Sequence, residues 1–261
     1  MQGDVNPKKF LGQHFLIDDN ISKKIVEAIN FKKFKKVIEI GPGKGALTKH
    51  LLHIKDMLTL IEVDKESVEF LNSEFQKERL NIVEADFLKF DMESTYPSEK
   101  DILIIGNFPY NISSQILFKS IDNYKSISGL IGMFQKEVAE RIISKNNCKQ
   151  YGILSVKTQL FYDAKILFNV SPNVFFPKPK VDSAVISLTR KNNLTIDCDL
   201  DLLDKVIKLS FQQRRKKIKN SLKRLDIQEN ILEDSIFELR PEQLTIEEFV
   251  KLTKKISDET I

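Results

Sequence analysis

The chain has 261 residues, of which 41% are hydrophobic and 30% charged, and its formal net charge is +4. These values are typical of a soluble globular protein and allow one large domain, or a large and a small one. Neither a membrane span nor a secretory leader is evident, since no apolar run approaches roughly 18 residues. The two cysteines, Cys148 and Cys198, lie far apart, so we expect a cytoplasmic protein that uses neither disulfides nor a metal.

The first segment, residues 1–17, combines basic and aromatic residues in a short arm. Lys8 and Lys9 precede an apolar cluster that extends to Leu16. Such an arm either packs on the body of the protein or contacts nucleic acid. Asp18 and Asp19 then predict the start of an amphipathic helix.

A glycine-rich turn follows the first predicted strand, VIEI, and opens a helix. Gly41, Gly43 and Gly45 give a G-x-G-x-G spacing, which differs from both the dinucleotide fingerprint and the P-loop. Glycines at this point let the backbone turn sharply and approach a ligand closely. The acidic Glu39 before them is typical of sites for a cationic cofactor.

Acidic residues end the next two predicted strands. Glu62, in LTLIEVD, lies about 20 residues beyond Gly41, the spacing of a carboxylate that binds ribose hydroxyls. Asp64 is a weaker candidate for that role and is predicted to cap the following helix. Asp86, in LNIVEAD, is either an acceptor for an adenine amine or a solvated turn residue.

The loop after the fourth predicted strand, in the sequence IIGNFPYNISSQILF, carries the most informative residues. Asn107 supplies a side-chain carbonyl, a proline fixes the backbone so that the Phe108 carbonyl can point the same way, and Tyr110 offers a stacking face. Ser113 and Ser114 are predicted N-caps of the next helix. Together these groups can hold a planar base that bears an amine.

Further strands are predicted at 127–135, 164–170 and 183–188, with helices at 136–144 and 151–163. The proline-rich loop FFPKPK precedes the last strand. Its extended backbone is predicted to present Phe175 or Phe176 as a stacking platform, the other being in the core.

The composition changes after about Lys191, and the remaining pattern is helical. The segment 205–224 holds many Lys and Arg and no acidic residue, which favours binding of a phosphate backbone. We therefore predict a helical RNA-binding domain over 193–261, after an α/β domain with its N-terminal arm over 1–192. The predicted RNA-binding residues are Arg214, Arg215, Lys216, Lys217, Lys219, Lys223 and Arg224.

Alternation of strands and helices from 37 to 190 predicts a Rossmann-like, mostly parallel sheet. The glycines, Glu62, Asp86 and Asn107 fall at the carboxyl ends of successive strands, where such sheets bind ligands. The set matches the needs of S-adenosylmethionine: a close backbone approach, a carboxylate for ribose and an acceptor for adenine. The fold class is thus that of an S-adenosylmethionine-dependent methyltransferase with a small C-terminal helical domain.

The ordered motifs LGQHFLID, EIGPGKGALT, IEVD, EAD, GNFPYNIS, QKEVAERI, YGILSV, FFPKPKVDSAV and FQQRRKKIKNSL resemble those of the small-subunit ribosomal RNA adenine N6-dimethyltransferase family. The resemblance implies methylation of two adjacent adenines near the 3′ end of that RNA, in ribosome biogenesis. It implies target-base contacts from Asn107, Phe108, Tyr110 and Phe175. It implies cofactor contacts from His14, Leu16, Gly41, Glu62, Asp86 and Asn107.

Two residues depart from the family pattern. His14 stands where Asn is usual, which leaves only a backbone contact secure, and Phe108 stands where Leu is usual. The expected partner is the small ribosomal subunit or its precursor, bound by a monomer. The alternatives are a methyltransferase for large-subunit RNA or DNA, and an assembly factor whose main role is binding.

Overall fold

The computed structural model describes residues 5–192, 194, 196–225 and 227–258. The chain forms two compact units. One contains the residues up to Ala139 together with Asp163–Arg190, and the other contains Glu140–Tyr162 with the residues from Lys191 onward. The division between domains after residue 192 stays a prediction. Among the described residues, no helix is both long and apolar enough to cross a membrane.

Seven of the strands follow the order predicted from the apolar runs. The strands are β1 Phe15–Leu16, β2 Lys36–Ile40, β3 Leu58–Glu62, β4 Asn81–Glu84, β5 Ile102–Asn107, β6 Ile127–Gln135, β7 Tyr162–Val170, β8 Phe175–Phe176 and β9 Ser183–Arg190. The two short strands, β1 and β8, lie in segments predicted as an arm and a loop.

The helices fall between the strands and then fill the C-terminal part. They are α1 Asp19–Glu27, α2 Thr48–Leu51, α3 Lys65–Glu74, α4 Met92–Thr95, α5 Ser113–Asp122, α6 Lys136–Ile143, α7 Ile153–Phe161, α8 Leu200–Gln212, α9 Ile218–Ser221, α10 Glu229–Leu232 and α11 Ile246–Asp258. Short 3-10 segments lie at Lys9–Leu11, Phe31–Lys33, Leu52–Met57, Gln76–Glu78, Pro172–Val174, Ser235–Glu238 and Pro241–Gln243.

Within the described residues, seven strands form one sheet in the order β4-β3-β2-β5-β6-β9-β7. The pairs from β4 to β6 are parallel, whereas β9 runs antiparallel to β6. Parallel strands are covered on both faces, and β3 is accordingly buried at every position. The carboxyl ends of β2, β3, β4 and β5 therefore meet at one edge, as predicted.

The second unit packs helices around aromatic rings. The Phe211 ring of α8 lies 6.0 Å from that of Tyr151 and 5.8 Å from that of Phe249 on α11. A Lys157–Asp204 ion pair of 2.7 Å joins α7 to α8. The helical pattern predicted after residue 200 is confirmed for the described residues.

The predicted caps of α5 are wrong. Ile112 occupies the N-cap position without a side-chain cap, and Ser113 is already the first helical residue. The Ser113 hydroxyl instead donates to the backbone carbonyl of Tyr110 at 3.2 Å. This hydrogen bond links the first turn of α5 to the loop that precedes it.

Candidate active site

One cavity of about 240 Å³ opens at the carboxyl edge of the sheet, within the first compact unit. The N-terminal arm contributes to its wall, as do the loops after β2, β3, β4 and β5. Seven of the nine predicted site residues line it: His14, Gly41, Glu62, Asp86, Asn107, Phe108 and Tyr110.

The glycine turn forms the floor next to β2. Gly41, Gly43 and Gly45 all have positive φ, between +55° and +75°, where L side chains are strained. A Cβ at Gly41 would meet no atom within 4 Å, so this backbone borders open space. A Cβ at Gly43 would lie 2.9 Å from the Phe15 ring. The arm therefore packs directly on the turn.

Glu62 lies at the end of β3 and is 4% exposed. One carboxylate oxygen accepts from the Gly43 N–H at 3.0 Å, and the other accepts from the N–H groups of Val63 and Asp64, each at 2.9 Å. Burial raises the pKa of Glu62, and these three hydrogen bonds oppose the rise. The carboxylate is held rigidly while still lining the cavity.

Asp64 takes the structural role that the sequence predicted for it. Its carboxylate caps α3 by accepting from the Glu66 N–H, and it also accepts from Lys8, Gln13 and Ser67. The contacts with Lys8 and Gln13 fasten the arm to the sheet. Asp86, after β4, is less enclosed: it lines the cavity and accepts from the Leu88 N–H at 2.9 Å.

Asn107 is oriented by the arm. Its Nδ2 donates to the backbone carbonyl of His14 at 2.8 Å, and within the described residues its Oδ1 has no hydrogen-bond partner. The His14 ring in turn donates from Nδ1 to the Pro177 carbonyl at 2.6 Å and stacks on Tyr110, with centroids 5.4 Å apart. The contact from Asn107 uses the backbone carbonyl of residue 14, so it does not depend on whether the side chain there is Asn or His.

The Phe108 ring is 1% exposed and packs edge-to-face on the Phe134 ring, with centroids 5.4 Å apart. It occupies the space that a side chain on Gly106 or Gly132 would need, since a Cβ there would lie 2.6 Å or 2.1 Å from the ring. The phenylalanine thus fits where the family usually has leucine. The acceptor role of the Phe108 backbone carbonyl stays a prediction.

Tyr110 is positioned at its far end by Ser183, whose hydroxyl lies 2.5 Å from the phenolic oxygen. Burial raises the pKa of Tyr110, so the phenol stays neutral.

Two predicted site residues lie outside the cavity lining. Leu16 and Phe175 pair across β1 and β8, are 6% and 3% exposed, and belong to the hydrophobic core. Phe176 is the exposed member of the phenylalanine pair, at 60%. Contacts of Leu16 with cofactor and of Phe175 with a base stay predictions.

Some of the predicted RNA-binding cations are paired with carboxylates that sequence reasoning missed. Arg214 contacts Glu242 at 2.7 Å, while Lys217 and Lys219 both contact Glu238. The segment 205–224 holds no acidic residue, but the carboxylates that pair with it lie 19 to 28 residues further along the chain. The remaining predicted cations form no ion pair with any residue that the structure describes. They are Arg215, Lys216, Lys223 and Arg224.

Lys119 is a further residue of the site that the sequence did not reveal. From α5 its ammonium donates to the carbonyls of Leu88 and Phe90, at 2.9 Å and 2.5 Å, and lies 5.4 Å from the Phe87 ring centroid. Burial lowers the pKa of Lys119, an effect that Asp86 opposes. The lysine therefore ties the loop that carries Asp86 to the helix that follows Tyr110.

We expect Lys119→Met to raise the KM for S-adenosylmethionine about tenfold, because the loop loses two hydrogen bonds to a charged donor. Lys119→Arg keeps the charge and should restore most of the affinity. Lys89→Met is a matched control, since this exposed lysine lies on the same loop, 4.0 Å from Asp86. Equal KM values for Lys119→Met and Lys89→Met would contradict the positioning role.

Glu39 makes stability depend on pH. It is fully buried, its pKa is raised to about 8 by burial, and it accepts a 2.8 Å hydrogen bond from the Thr48 hydroxyl. A carboxyl whose folded pKa exceeds its unfolded value stabilises fully below the unfolded pKa and loses that contribution as pH rises to the folded pKa. Between the unfolded and the folded pKa, the contribution of Glu39 to the free energy of unfolding falls by up to about 1.4 kcal/mol per pH unit.

We therefore expect the free energy of unfolding to fall less for Glu39→Gln than for the parent chain between about pH 5 and pH 8. The amide still accepts from Thr48 and takes no charge. Urea titrations across this range test it, with the exposed Glu69→Gln as control. Parallel pH profiles for the parent and Glu39→Gln would refute the assignment.

A family model described as ribosomal RNA adenine dimethylase matches residues 5–257. The chain belongs to the ribosomal RNA adenine dimethylase family. The expected family, fold class and S-adenosylmethionine-dependent type of enzyme are thus confirmed.

Individual relatives agree with the family. The ribosomal RNA small subunit methyltransferase A of Flavobacterium johnsoniae is 50% identical over 252 residues, which cover 97% of this chain and 96% of that protein. The protein of the same name from Cytophaga hutchinsonii is 46% identical, covering 97% and 98%.

Two solved structures also resemble the chain. A dimethyladenosine transferase from Plasmodium falciparum has a TM-score of 0.81 at 26% identity, covering 95% of this chain and 99% of that one. The 23S rRNA methyltransferase ErmE has a TM-score of 0.67 at 25% identity, covering 93% and 99%.

Proposed function

We propose that the chain transfers methyl groups from S-adenosylmethionine to N6 of two adjacent adenines near the 3′ end of 16S rRNA, which yields N6,N6-dimethyladenosine during small-subunit biogenesis. The observation that carries the proposal is the orientation of Asn107. Because Nδ2 is engaged by His14, Oδ1 is the acceptor left for an exocyclic amine. The relatives named for the small subunit support the choice of RNA.

The cavity fits the proposed cofactor. Gly41 leaves open space for close backbone approach, Glu62 presents a fixed carboxylate suited to two ribose hydroxyls, and Asp86 can accept from an adenine amine. When bound, S-adenosylmethionine supplies an electrophilic methyl group on a sulfonium.

The N6 amine of adenine is a poor nucleophile, since its lone pair is shared with the ring. Asn107 Oδ1 and the Phe108 carbonyl would accept its two hydrogens, which favours a pyramidal nitrogen with an available lone pair. Tyr110, held by Ser183, would stack on the base after it leaves the RNA stack. Positioning and electrostatic stabilisation supply the rate enhancement.

The basic residues of the second unit support an RNA partner. Arg215, Lys216, Lys223 and Arg224 are exposed, so their charges are available to phosphates. We assign the main RNA contacts of this unit to these four, and a supporting role to the paired Arg214, Lys217 and Lys219. We further propose that the enzyme acts as a cytoplasmic monomer on the small subunit or its precursor, with no metal.

Methyl transfer from labelled S-adenosylmethionine tests the proposal. Undermethylated small subunits, large subunits, naked RNA and DNA would be incubated in parallel, and the products digested to nucleosides. Dimethyladenosine from small subunits alone is expected. Label in large-subunit RNA or DNA would overturn the substrate. No label with retained cofactor binding would favour an assembly factor whose main role is binding.

A further inference from the structure

An exposed ridge borders the active site on the proline-rich loop, and the activity proposed above does not use it. Phe176, Lys178 and Lys180 are exposed, whereas Phe175 before them is buried, Pro177 is half-buried and Pro179 is buried. We call the three exposed residues the 176–180 ridge.

The ridge is fixed to the residues that line the cavity. Phe176 pairs with Phe15 across β1 and β8, and Phe15 packs on the glycine turn. The Pro177 carbonyl accepts from His14. Beyond the ridge, Ser183 contacts Tyr110. An RNA strand that places a base against Tyr110 must therefore pass close to these side chains.

The chemistry of the ridge suits RNA better than an apolar partner. Within the described part of the chain, neither Lys178 nor Lys180 is in an ion pair. The acidic residue nearest to them in sequence is Asp182. Phe176 presents 60% of its surface to solvent. A single aromatic ring beside two free cations is the pattern of a platform on which a base stacks while phosphates are neutralised.

We propose that the 176–180 ridge binds the nucleotides that flank the target adenine. Extrusion of the target leaves its neighbours unstacked, and Phe176 would stack on one of them while Lys178 and Lys180 contact adjacent phosphates. This inference rests on the proposed function and adds a substrate-binding surface to it. The ridge acts on affinity for RNA, because it lies outside the cavity lining that holds the cofactor.

Charge reversal tests the lysines. Lys178→Glu/Lys180→Glu is compared with Lys77→Glu/Lys100→Glu, which changes net charge equally at exposed positions just before β4 and β5, the opposite edge of the sheet. We expect the first pair to raise the KM for undermethylated small subunits about tenfold and to reduce the slope of log KM against log salt by about 1.4 to 1.8. The KM for S-adenosylmethionine should not change.

Stacking is tested at Phe176. Phe176→Ala should raise the KM for small subunits about tenfold, within the range for loss of one stacked base, and Phe176→Tyr should restore it. Thermal unfolding of each variant checks that folding is intact. Equal KM values for the ridge pair and the control pair, or no rescue by tyrosine, would overturn the inference.

Failure of the proposed function would appear separately, as absence of dimethyladenosine with the parent enzyme. The same variants would then be compared by filter binding of a synthetic RNA hairpin with two adjacent adenines in its loop. Weaker binding by the ridge variants alone would still support RNA binding by the 176–180 ridge. Equal binding by all variants would refute it.

Discussion

Asn107→Ala is expected to lower kcat by about 10²–10³-fold, the usual cost of removing one preorganised group that stabilises a transition state. The variant loses the Oδ1 acceptor for the amine and also the 2.8 Å hydrogen bond from Nδ2 to His14. Single-turnover methylation of small subunits measures the chemical step directly, and equilibrium binding of S-adenosylmethionine measures any loss in the cofactor site. The loss in rate should far exceed the loss in affinity.

Asn107→Asp separates the two functions of the amide. The carboxylate keeps acceptor oxygens but cannot donate to the His14 carbonyl, so the arm is held less firmly. Its rate should fall between those of the parent and Asn107→Ala. A rate for Asn107→Ala within about threefold of the parent, in a folded protein, would remove Asn107 from the chemistry.

The sheet and the position of the site could be predicted because both depend on short-range patterns. Buried parallel strands consist mostly of apolar residues: β5 begins with four in succession, and β3 has three in its first four positions. A polar residue at the end of such a run must lie at the carboxyl edge, where Glu62 and Asn107 are found. No long-range information is needed to bring these residues together.

The choice between Phe175 and Phe176 could not be predicted, since adjacent identical residues on an extended backbone face opposite sides. The register with β1, which pairs Phe176 with Phe15, decides it. The partners of Arg214 and Lys119 are similarly remote in sequence: a glutamate 28 residues away and carbonyls about 30 residues away. Helical periodicity indicates which face of a helix is apolar, but not which loop it supports.

Glu62→Gln is expected to weaken binding of S-adenosylmethionine by about 10²-fold or more, because two hydrogen bonds from ribose to a charged acceptor are lost or weakened. The amide also disturbs the site itself. Its oxygen can still accept from the Val63 and Asp64 N–H groups, but its NH₂ then meets the Gly43 N–H, donor against donor. The buried Gly43 N–H left unpaired should cost about 1–3 kcal/mol of stability.

Glu39→Gln is the matched control, since Glu39 is equally buried but lies outside the cavity lining. Calorimetric titration should show nearly unchanged cofactor affinity for Glu39→Gln and a large loss for Glu62→Gln. If both substitutions weakened binding equally, the effect would come from general disturbance of the sheet edge. If neither substitution weakened binding, Glu62 would not be the carboxylate that binds the ribose. Asp64 already accepts from Lys8 and Gln13, so it could take that role only if the N-terminal arm released it.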